Sequence, residues 1–133
     1  MKKELKVGDK ASRSKIFTDD DVKKFADVST DKNPIHLDAE YAKNTIFKQR
    51  IAHGMLVGSL FSGILGCDLP GEGTIYLGQT LSFKAPVPLN EQVTATVEVL
   101  SIREDKPIAV FKTTCVDSQG KVVIEGEATV RVP

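Results

Sequence analysis

The 133-residue sequence has no tryptophan, only two cysteines and no excess of charge of either sign. Cys67 and Cys115 lie far apart in the sequence, which excludes a disulfide framework and gives no metal-binding spacing. Lysine plus arginine equals aspartate plus glutamate at 18 each, so the strongly basic character of a nucleic-acid-binding protein is missing. The two lysines near the start are not followed by an apolar stretch, as a signal peptide requires. The longest apolar segment, residues 55–65, is too short to cross a bilayer. These absences predict a cytoplasmic protein with no nucleic-acid or membrane partner.

The length fits one domain spanning residues 1–133, which is large enough to bury a hydrophobic core. Scattered apolar residues in 1–17 predict a short irregular strand. Thr18 to Asp21 has the form of a capping box, with aspartate in place of the usual glutamate, and apolar residues follow at helical spacing. We therefore expect a helix over about residues 19–29.

The segment Ser29 to His36 contains Asp31, Asn33 and Pro34 in close succession. Proline has no backbone N–H and disfavours a helical conformation in the residue before it, so this segment is predicted to be a turn or loop. Asp38 is placed to cap a short helix through residues 41 and 42.

Residues 54–66 have helical length but almost no polar face. A helix that is apolar on all sides is normally buried. Gly54, Gly58 and Ser62 recur every four residues and form a stripe of small side chains, along which another backbone or a ligand can approach closely.

From residue 74 onward the sequence has the character of β-strands. Four strands are predicted, over residues 74–87, 93–99, 108–116 and 122–132, joined by short connections as in an antiparallel meander. One buried helix with one long antiparallel sheet predicts an α+β layer structure in which the sheet wraps the helix, the hot-dog arrangement. Such a sheet has exposed edges and leaves the helix incompletely covered, and a homodimer that joins two sheets would cover both.

His36 and His53 are the only histidines, and both lie in the part of the chain that is not plainly scaffold. Asp31 precedes His36 across the proline-containing turn, so a carboxylate and an imidazole can converge on one water, take a proton from it and return one to a substrate. The backbone N–H of Gly54, at the start of the buried helix, has no partner within that helix and is suited to polarise a carbonyl oxygen.

Each of these residues also has an ordinary structural interpretation. Asp31 and Asn33 are typical turn formers, and a single histidine is more often a satisfied structural residue than a catalyst. His53 can simply begin the helix, and Ser62 is more often a small packing residue. Residue types and spacing alone leave both interpretations open.

The combined pattern favours a catalytic role for these residues over a purely structural one. Asp31-Lys32-Asn33-Pro34-Ile35-His36, followed by His53-Gly54-Met55, closely resembles the signature of the (R)-specific enoyl-CoA hydratases, MaoC-like dehydratases of hot-dog fold. The resemblance extends over essentially the whole chain, including Gly73–Gln79, which enters the first long strand, and Arg103–Pro107 at a later turn. The motif positions show no departure from the family pattern.

The resemblance implies that Asp31 and His36 activate one water for attack on C3 of an enoyl thioester, and that the Gly54 amide holds the thioester oxygen. It implies that Ser62 supports the active-site turn or lines the acyl channel. Leu65 is the first large residue near that helix face and is expected to close the far end of the channel, favouring short acyl chains.

The implied product is a (3R)-hydroxyacyl-CoA. No metal or redox cofactor is implied, and CoA arrives as part of the substrate. The chain resembles homodimeric bacterial members that supply (R)-hydroxyacyl units from fatty-acid oxidation to polyhydroxyalkanoate synthesis. Three alternatives stay open: a hot-dog acyl-CoA thioesterase, a non-catalytic acyl-CoA sensor, and a dehydratase subunit that acts on acyl carrier protein substrates. A sensor usually needs a DNA-binding segment, for which this chain has no spare residues.

Overall fold

The computed structural model describes residues 4–133 and consists of one antiparallel sheet with four helices. The helices are α1 (Asp19–Ser29), α2 (Pro34–Leu37), α3 (Ala39–Lys43) and α4 (Gly54–Cys67). The strands are β1 (Lys10–Ile16), β2 (Ile75–Gln79), β3 (Ser82–Phe83), β4 (Gln92–Ile102), β5 (Ile108–Val116) and β6 (Val122–Arg131). Residues 1–3, within the segment expected to contain the first strand, lie outside the described part of the chain.

The sheet has the strand order β1-β4-β5-β6-β2, with β3 also paired to β6. β4, β5 and β6 form the predicted meander, but the segment before them does not extend it. The single strand expected over residues 74–87 is wrong: this segment forms two short strands, and both pair with β6 rather than with β4. The neighbour of β4 on its other side is β1, which pairs with it over its whole length.

The break between β2 and β3 lies where the backbone of Thr80 comes directly against Gly126 of β6. A Cβ atom on Gly126 would stand 1.9 Å from the Thr80 carbonyl oxygen, so only glycine fits there. Thr80 also bonds the opposite strand twice, since its N–H donates to the Glu127 carbonyl oxygen and its hydroxyl accepts from the Glu127 N–H, both at 2.9 Å. These contacts replace regular strand pairing at this point.

The core lies between α4 and the inner face of the sheet. Side chains in β4 and β5 alternate between buried and partly exposed, as expected for a sheet with one covered face. Val57, Phe61, Ile64 and Leu65 of α4 are buried against them. The prediction of an α+β hot-dog arrangement is therefore confirmed, whereas that of one domain over residues 1–133 stays a prediction.

α4 is buried on one side only, as expected for a sheet that leaves this helix incompletely covered in the single chain. Met55, Ser59, Ser62 and Gly66 share one side of the helix and are exposed in the single chain. The helix is nearly devoid of polar side chains although part of its surface faces solvent, and this surface enters the argument on assembly below.

The ends of the small helices follow from capping. The predicted capping box of α1 is present, because the Thr18 hydroxyl accepts from the Asp21 N–H and the Asp21 carboxylate accepts from the Thr18 N–H. Asp38 caps α3 as predicted. The expected turn at Pro34 instead forms the one-turn helix α2, since proline at the first helical position needs no N–H partner.

Among the described residues, none of the helices has the length and apolar character needed to traverse a bilayer.

Candidate active site

The turn between α1 and α2 is held by a ladder of local hydrogen bonds. Thr30 caps the C-terminus of α1 with a φ of 67°. Beyond it the Asp31 N–H donates to Ser29 Oγ at 3.1 Å, and the Asn33 N–H donates to Asp31 Oδ1 at 3.2 Å. Asn33 in turn accepts the Ile35 N–H and caps α2. One carboxylate oxygen of Asp31 is therefore used to shape the turn, which leaves the second, Oδ2, for other partners.

His36 is held at both its ring and its backbone by the segment that precedes α4. Nδ1 of His36 lies 2.7 Å from the Ile51 carbonyl oxygen, and because a carbonyl can only accept, Nδ1 carries the proton. The Arg50 Nε–H donates to the His36 carbonyl oxygen at 2.7 Å. The Arg50 guanidinium also pairs with Asp19 of α1 at 2.7 Å, which ties three segments together.

The structure brings Asp31 and His36 together as the sequence predicted. Asp31 Oδ2 lies 3.9 Å from His36 Nε2, the nitrogen left free by the bond to Ile51. The Asp31 side chain is 51% exposed, whereas that of His36 is almost fully buried. Burial lowers the pKa of His36, against the opposing effects of the Ile51 carbonyl and the Asp31 carboxylate. His36 Nε2 is thus available as an acceptor at neutral pH.

His53 has more contacts than a residue that only begins the helix would need. It is 2% exposed, and its ring stacks on the ring of His36 with centroids 3.8 Å apart. Its Nε2–H donates to the backbone carbonyl oxygen of Asp31 at 2.9 Å. Phe25 of α1 packs edge-on against its other side. The available sequence signal was its position directly before Gly54.

These residues stand in the wall of a cavity of about 520 Å³. The remaining walls are mainly apolar and come from α1, α4, the loop before α4, residues 83–87 and one residue of β6. A largely apolar cavity with a few convergent polar groups is the usual form of a small-molecule site.

Gly54 begins α4 at the edge of the same cavity. As the first helical residue its N–H has no partner within the helix and points along the positive end of the helix dipole. A Cβ atom at this position would stand 2.6 Å from the ring of Phe83, which also lines the cavity. A larger residue here would push the aromatic ring, so glycine serves both close packing and access to the amide.

Ser62 and Leu65 lie further along α4 and are not brought next to the catalytic turn. Ser62 is exposed and lines a second cavity of about 480 Å³ between α4 and β2, together with Gly58. This cavity shares Phe25 and Met55 with the first. Leu65 is 1% exposed, belongs to the hydrophobic core and lines neither of the two cavities.

Asp31, His36 and His53 are close enough to consider a metal ion, since one ligand atom from each lies within 4.8 Å of the others. Their arrangement fits a metal poorly. The bond of each histidine to a backbone carbonyl is itself compatible with metal binding through the other ring nitrogen, so the orientation of the rings decides. The two rings are nearly parallel, at 25°, so their remaining lone pairs run side by side instead of converging on one point.

The chain is similar to known proteins over nearly its whole length. The model of the MaoC-like domain family matches residues 3–120. The (R)-specific enoyl-CoA hydratase of Aeromonas caviae is 53% identical over 97% of this chain and 96% of the relative. That of Rhodospirillum rubrum is 50% identical over 98% of this chain and 90% of the relative. A mitochondrial 3-hydroxyacyl-[acyl-carrier-protein] dehydratase from Solanum lycopersicum is 43% identical over 97% of this chain and 78% of the relative.

Solved structures show the same likeness. The (R)-hydratase from A. caviae, which is involved in PHA biosynthesis, superimposes with a TM-score of 0.96 and covers 97% of this chain and 98% of its own. An R-hydratase from Pseudomonas aeruginosa in its unliganded form superimposes with a TM-score of 0.94 at 47% identity, covering 98% of this chain and 83% of its own.

Proposed function

Since the chain belongs to the MaoC-like domain family, we propose that it catalyses the reversible hydration of a trans-2-enoyl-CoA to the (3R)-hydroxyacyl-CoA. The observation that carries the proposal is the pair of Asp31 Oδ2 and His36 Nε2, which face each other at 3.9 Å in the wall of an apolar cavity. Identity of 53% with an (R)-specific enoyl-CoA hydratase over nearly the full length supports the choice of reaction.

The pair has the spacing needed to hold one water. A water that bonds both atoms at about 2.8 Å fits across the gap at an angle of about 90°. As its oxygen adds to C3 of the enoyl group, the pair accepts a proton from the water, and a proton is returned to C2. Both residues end in their starting protonation state, so the reaction consumes only water and requires no metal or redox cofactor.

The thioester carbonyl is placed at the N-terminus of α4. Negative charge develops on its oxygen as C3 is attacked, and the free N–H of Gly54 stabilises that charge together with the helix dipole. With the carbonyl held there, the acyl chain runs along α4. The second cavity, which Ser62 lines and which shares walls with the first, supports a role for Ser62 in the acyl channel.

Leu65 is proposed to limit the length of the acyl chain. Leu65 lies about two helical turns beyond Gly58, so its buried side chain would limit an acyl chain that runs that far along α4 from Gly54. We expect substrates with acyl chains of about four to six carbons, a length based on the helical rise of about 1.5 Å per residue.

A homodimer is proposed because the apolar surface around α4 and β2 needs cover. β2 is at the edge of the sheet, and its Ile75 and Leu77 are 56% and 53% exposed. Met55 of α4, on the wall shared by the two cavities, is 60% exposed. An edge strand that presents large apolar residues is a template for pairing with a second copy. The cytoplasmic location stays a prediction.

The test is a spectrophotometric assay with crotonyl-CoA. Loss of the enoyl-thioester absorbance, with formation of (3R)-hydroxybutyryl-CoA, is the expected result. Release of free CoA thiol would instead indicate the thioesterase alternative. Because the relative from Solanum lycopersicum is named as a dehydratase of a carrier-protein substrate, crotonyl-[acyl-carrier-protein] is assayed in parallel. A turnover number that is higher on the carrier-protein substrate would favour that alternative. No turnover of either substrate by the folded protein would contradict the proposal.

A further inference from the structure

His53 has contacts that the proposed mechanism does not use. Nε2 of its ring donates a hydrogen bond to the Asp31 backbone, and one face of the ring stacks on His36. Among the described residues, His53 is therefore the one side chain that makes these contacts with both Asp31 and His36. Its position is itself fixed, because it is buried and packs against Phe25 on a third side.

Packing alone does not account for a histidine here. Since Nε2 donates to the Asp31 carbonyl oxygen, Nδ1 is left with a lone pair, and in the described part of the chain this buried atom has no hydrogen-bond partner. A buried polar atom without a partner costs stability. An apolar ring would fill the same volume without that cost, so the contact made by the opposite nitrogen is what distinguishes histidine from phenylalanine.

We propose that His53 is a positioning residue that fixes the relative placement of Asp31 and His36. This inference rests on the proposed function. The Asp31 backbone would otherwise be held only by short-range bonds within its own exposed turn. The His36 ring is anchored at one edge by Ile51, and stacking on His53 restrains its rotation about that anchor. His53 thereby couples the start of α4, and with it the Gly54 amide, to the pair that holds the water.

The groups that surround the two rings are few. Asp31 and His53 face His36 directly, and Arg50 bonds the His36 carbonyl oxygen while its charge pairs with Asp19. Proximity of His53 adds to the effect of burial in lowering the pKa of His36. Positive charges on two stacked rings repel each other, so replacing His53 with a residue that cannot be protonated is expected to move the titration midpoint of His36 toward higher pH.

Two variants separate the hydrogen bond from the ring. His53→Gln keeps an amide donor near the position of Nε2 but loses stacking, and His53→Phe keeps an aromatic face but loses the donor. We expect the turnover number on crotonyl-CoA to fall about 10- to 100-fold in His53→Phe with KM changed much less, since a misplacement of about 1 Å costs up to about a hundredfold. His53→Gln should recover part of this loss. The control is Ser118→Ala, which removes a hydrogen bond to Glu91 at the turn between β5 and β6, outside both cavities, and should leave turnover unchanged.

Proton NMR of the ring provides a second measurement that does not depend on activity. The sequence contains only two histidines, so a single imidazole signal, that of His36, remains in either variant. The expected result is a titration midpoint above that of the wild type in both. Turnover within about threefold of wild type in folded His53→Phe, with an unchanged midpoint for His36, would overturn the inference. An inactive wild-type protein would refute the proposed function instead, and the NMR midpoints would then decide the role of His53 alone.

Discussion

Replacing Asp31 with asparagine isolates the negative charge that the mechanism needs. The asparagine side chain would retain an oxygen in the place of Oδ1, which accepts the Asn33 N–H, so the turn keeps its shape. The second oxygen, Oδ2, becomes an amide nitrogen that cannot accept a proton from water. Because the side chain is half exposed, the change removes no core contact and should leave the free energy of unfolding nearly unaltered.

The expected loss in turnover number for Asp31→Asn is about 10²- to 10⁴-fold, the range that a positioned acid or base contributes. This corresponds to an increase of about 3–5 kcal/mol in the activation free energy, at about 1.4 kcal/mol per factor of ten. KM for crotonyl-CoA should change little, because Asp31 contacts the water and not the acyl group. The assay follows loss of the enoyl-thioester absorbance, with a thermal melt of each variant to confirm folding.

Asp27 provides the matched control, since it is a nearby exposed carboxylate that pairs with Lys32 at 3.7 Å and does not face His36. Asp27→Asn should keep full activity. In a double variant, the losses of turnover caused by Asp31→Asn and His36→Ala should not be additive, because either change alone disables the pair that holds the water. A folded Asp31→Asn enzyme with near-normal turnover would refute the assignment of the pair.

Three further predictions concern pH, chain length and assembly. Because burial lowers the pKa of His36, kcat/KM should fall on the acid side with a midpoint below the ordinary histidine pKa of about 6.5. A midpoint above that value would contradict a mechanism that uses an unprotonated Nε2. Because the pKa of His36 is lower in the folded protein than in the unfolded chain, the free energy of unfolding should decrease as pH falls from about 6.5 through the folded-state pKa. Melting temperatures measured across this acid range test the expectation. Leu65→Ala should raise the ratio of kcat/KM for eight-carbon over four-carbon enoyl-CoA, since each buried methylene contributes about 0.8 kcal/mol, and an unchanged ratio means that the chain does not pass this residue. Leu77→Asp, at an exposed edge-strand position, should convert the expected homodimer into a monomer by sedimentation velocity, whereas a wild type that is already a stable, fully active monomer would refute the proposed interface.

Local signals in the sequence were sufficient for the elements whose ends depend on neighbouring residues. The capping box at Thr18 placed the start of α1 correctly, and the alternation in residues 93–99 identified β4. Juxtaposition of Asp31 and His36 was also predictable, because both lie in one short turn. These features need no information about distant parts of the chain.

The errors arose where contacts distant in sequence decide the structure. Nothing near residues 74–87 indicates that Thr80 will meet Gly126, and without that contact the segment resembles one long strand. The placement of β1 beside β4 likewise depends on which sheet edge is left free once the meander has formed. The contacts of His53 were missed for the same reason, since the Asp31 carbonyl lies 22 residues earlier in the chain.

The exposed side of α4 links the active site to the proposed assembly. The cavity that begins at Asp31 and His36 continues along α4 into the second cavity, whose outer wall is the edge strand β2. In the single chain Met55, at the junction of the two cavities, is largely open to solvent. A thioester enolate held by one amide N–H needs a surrounding that excludes water, because the effective charge–dipole interaction weakens as the dielectric rises. A second copy bound over β2 and α4 would therefore complete the low-dielectric wall of the acyl channel as well as cover the sheet edge, and so catalysis and association should weaken together when that surface is altered.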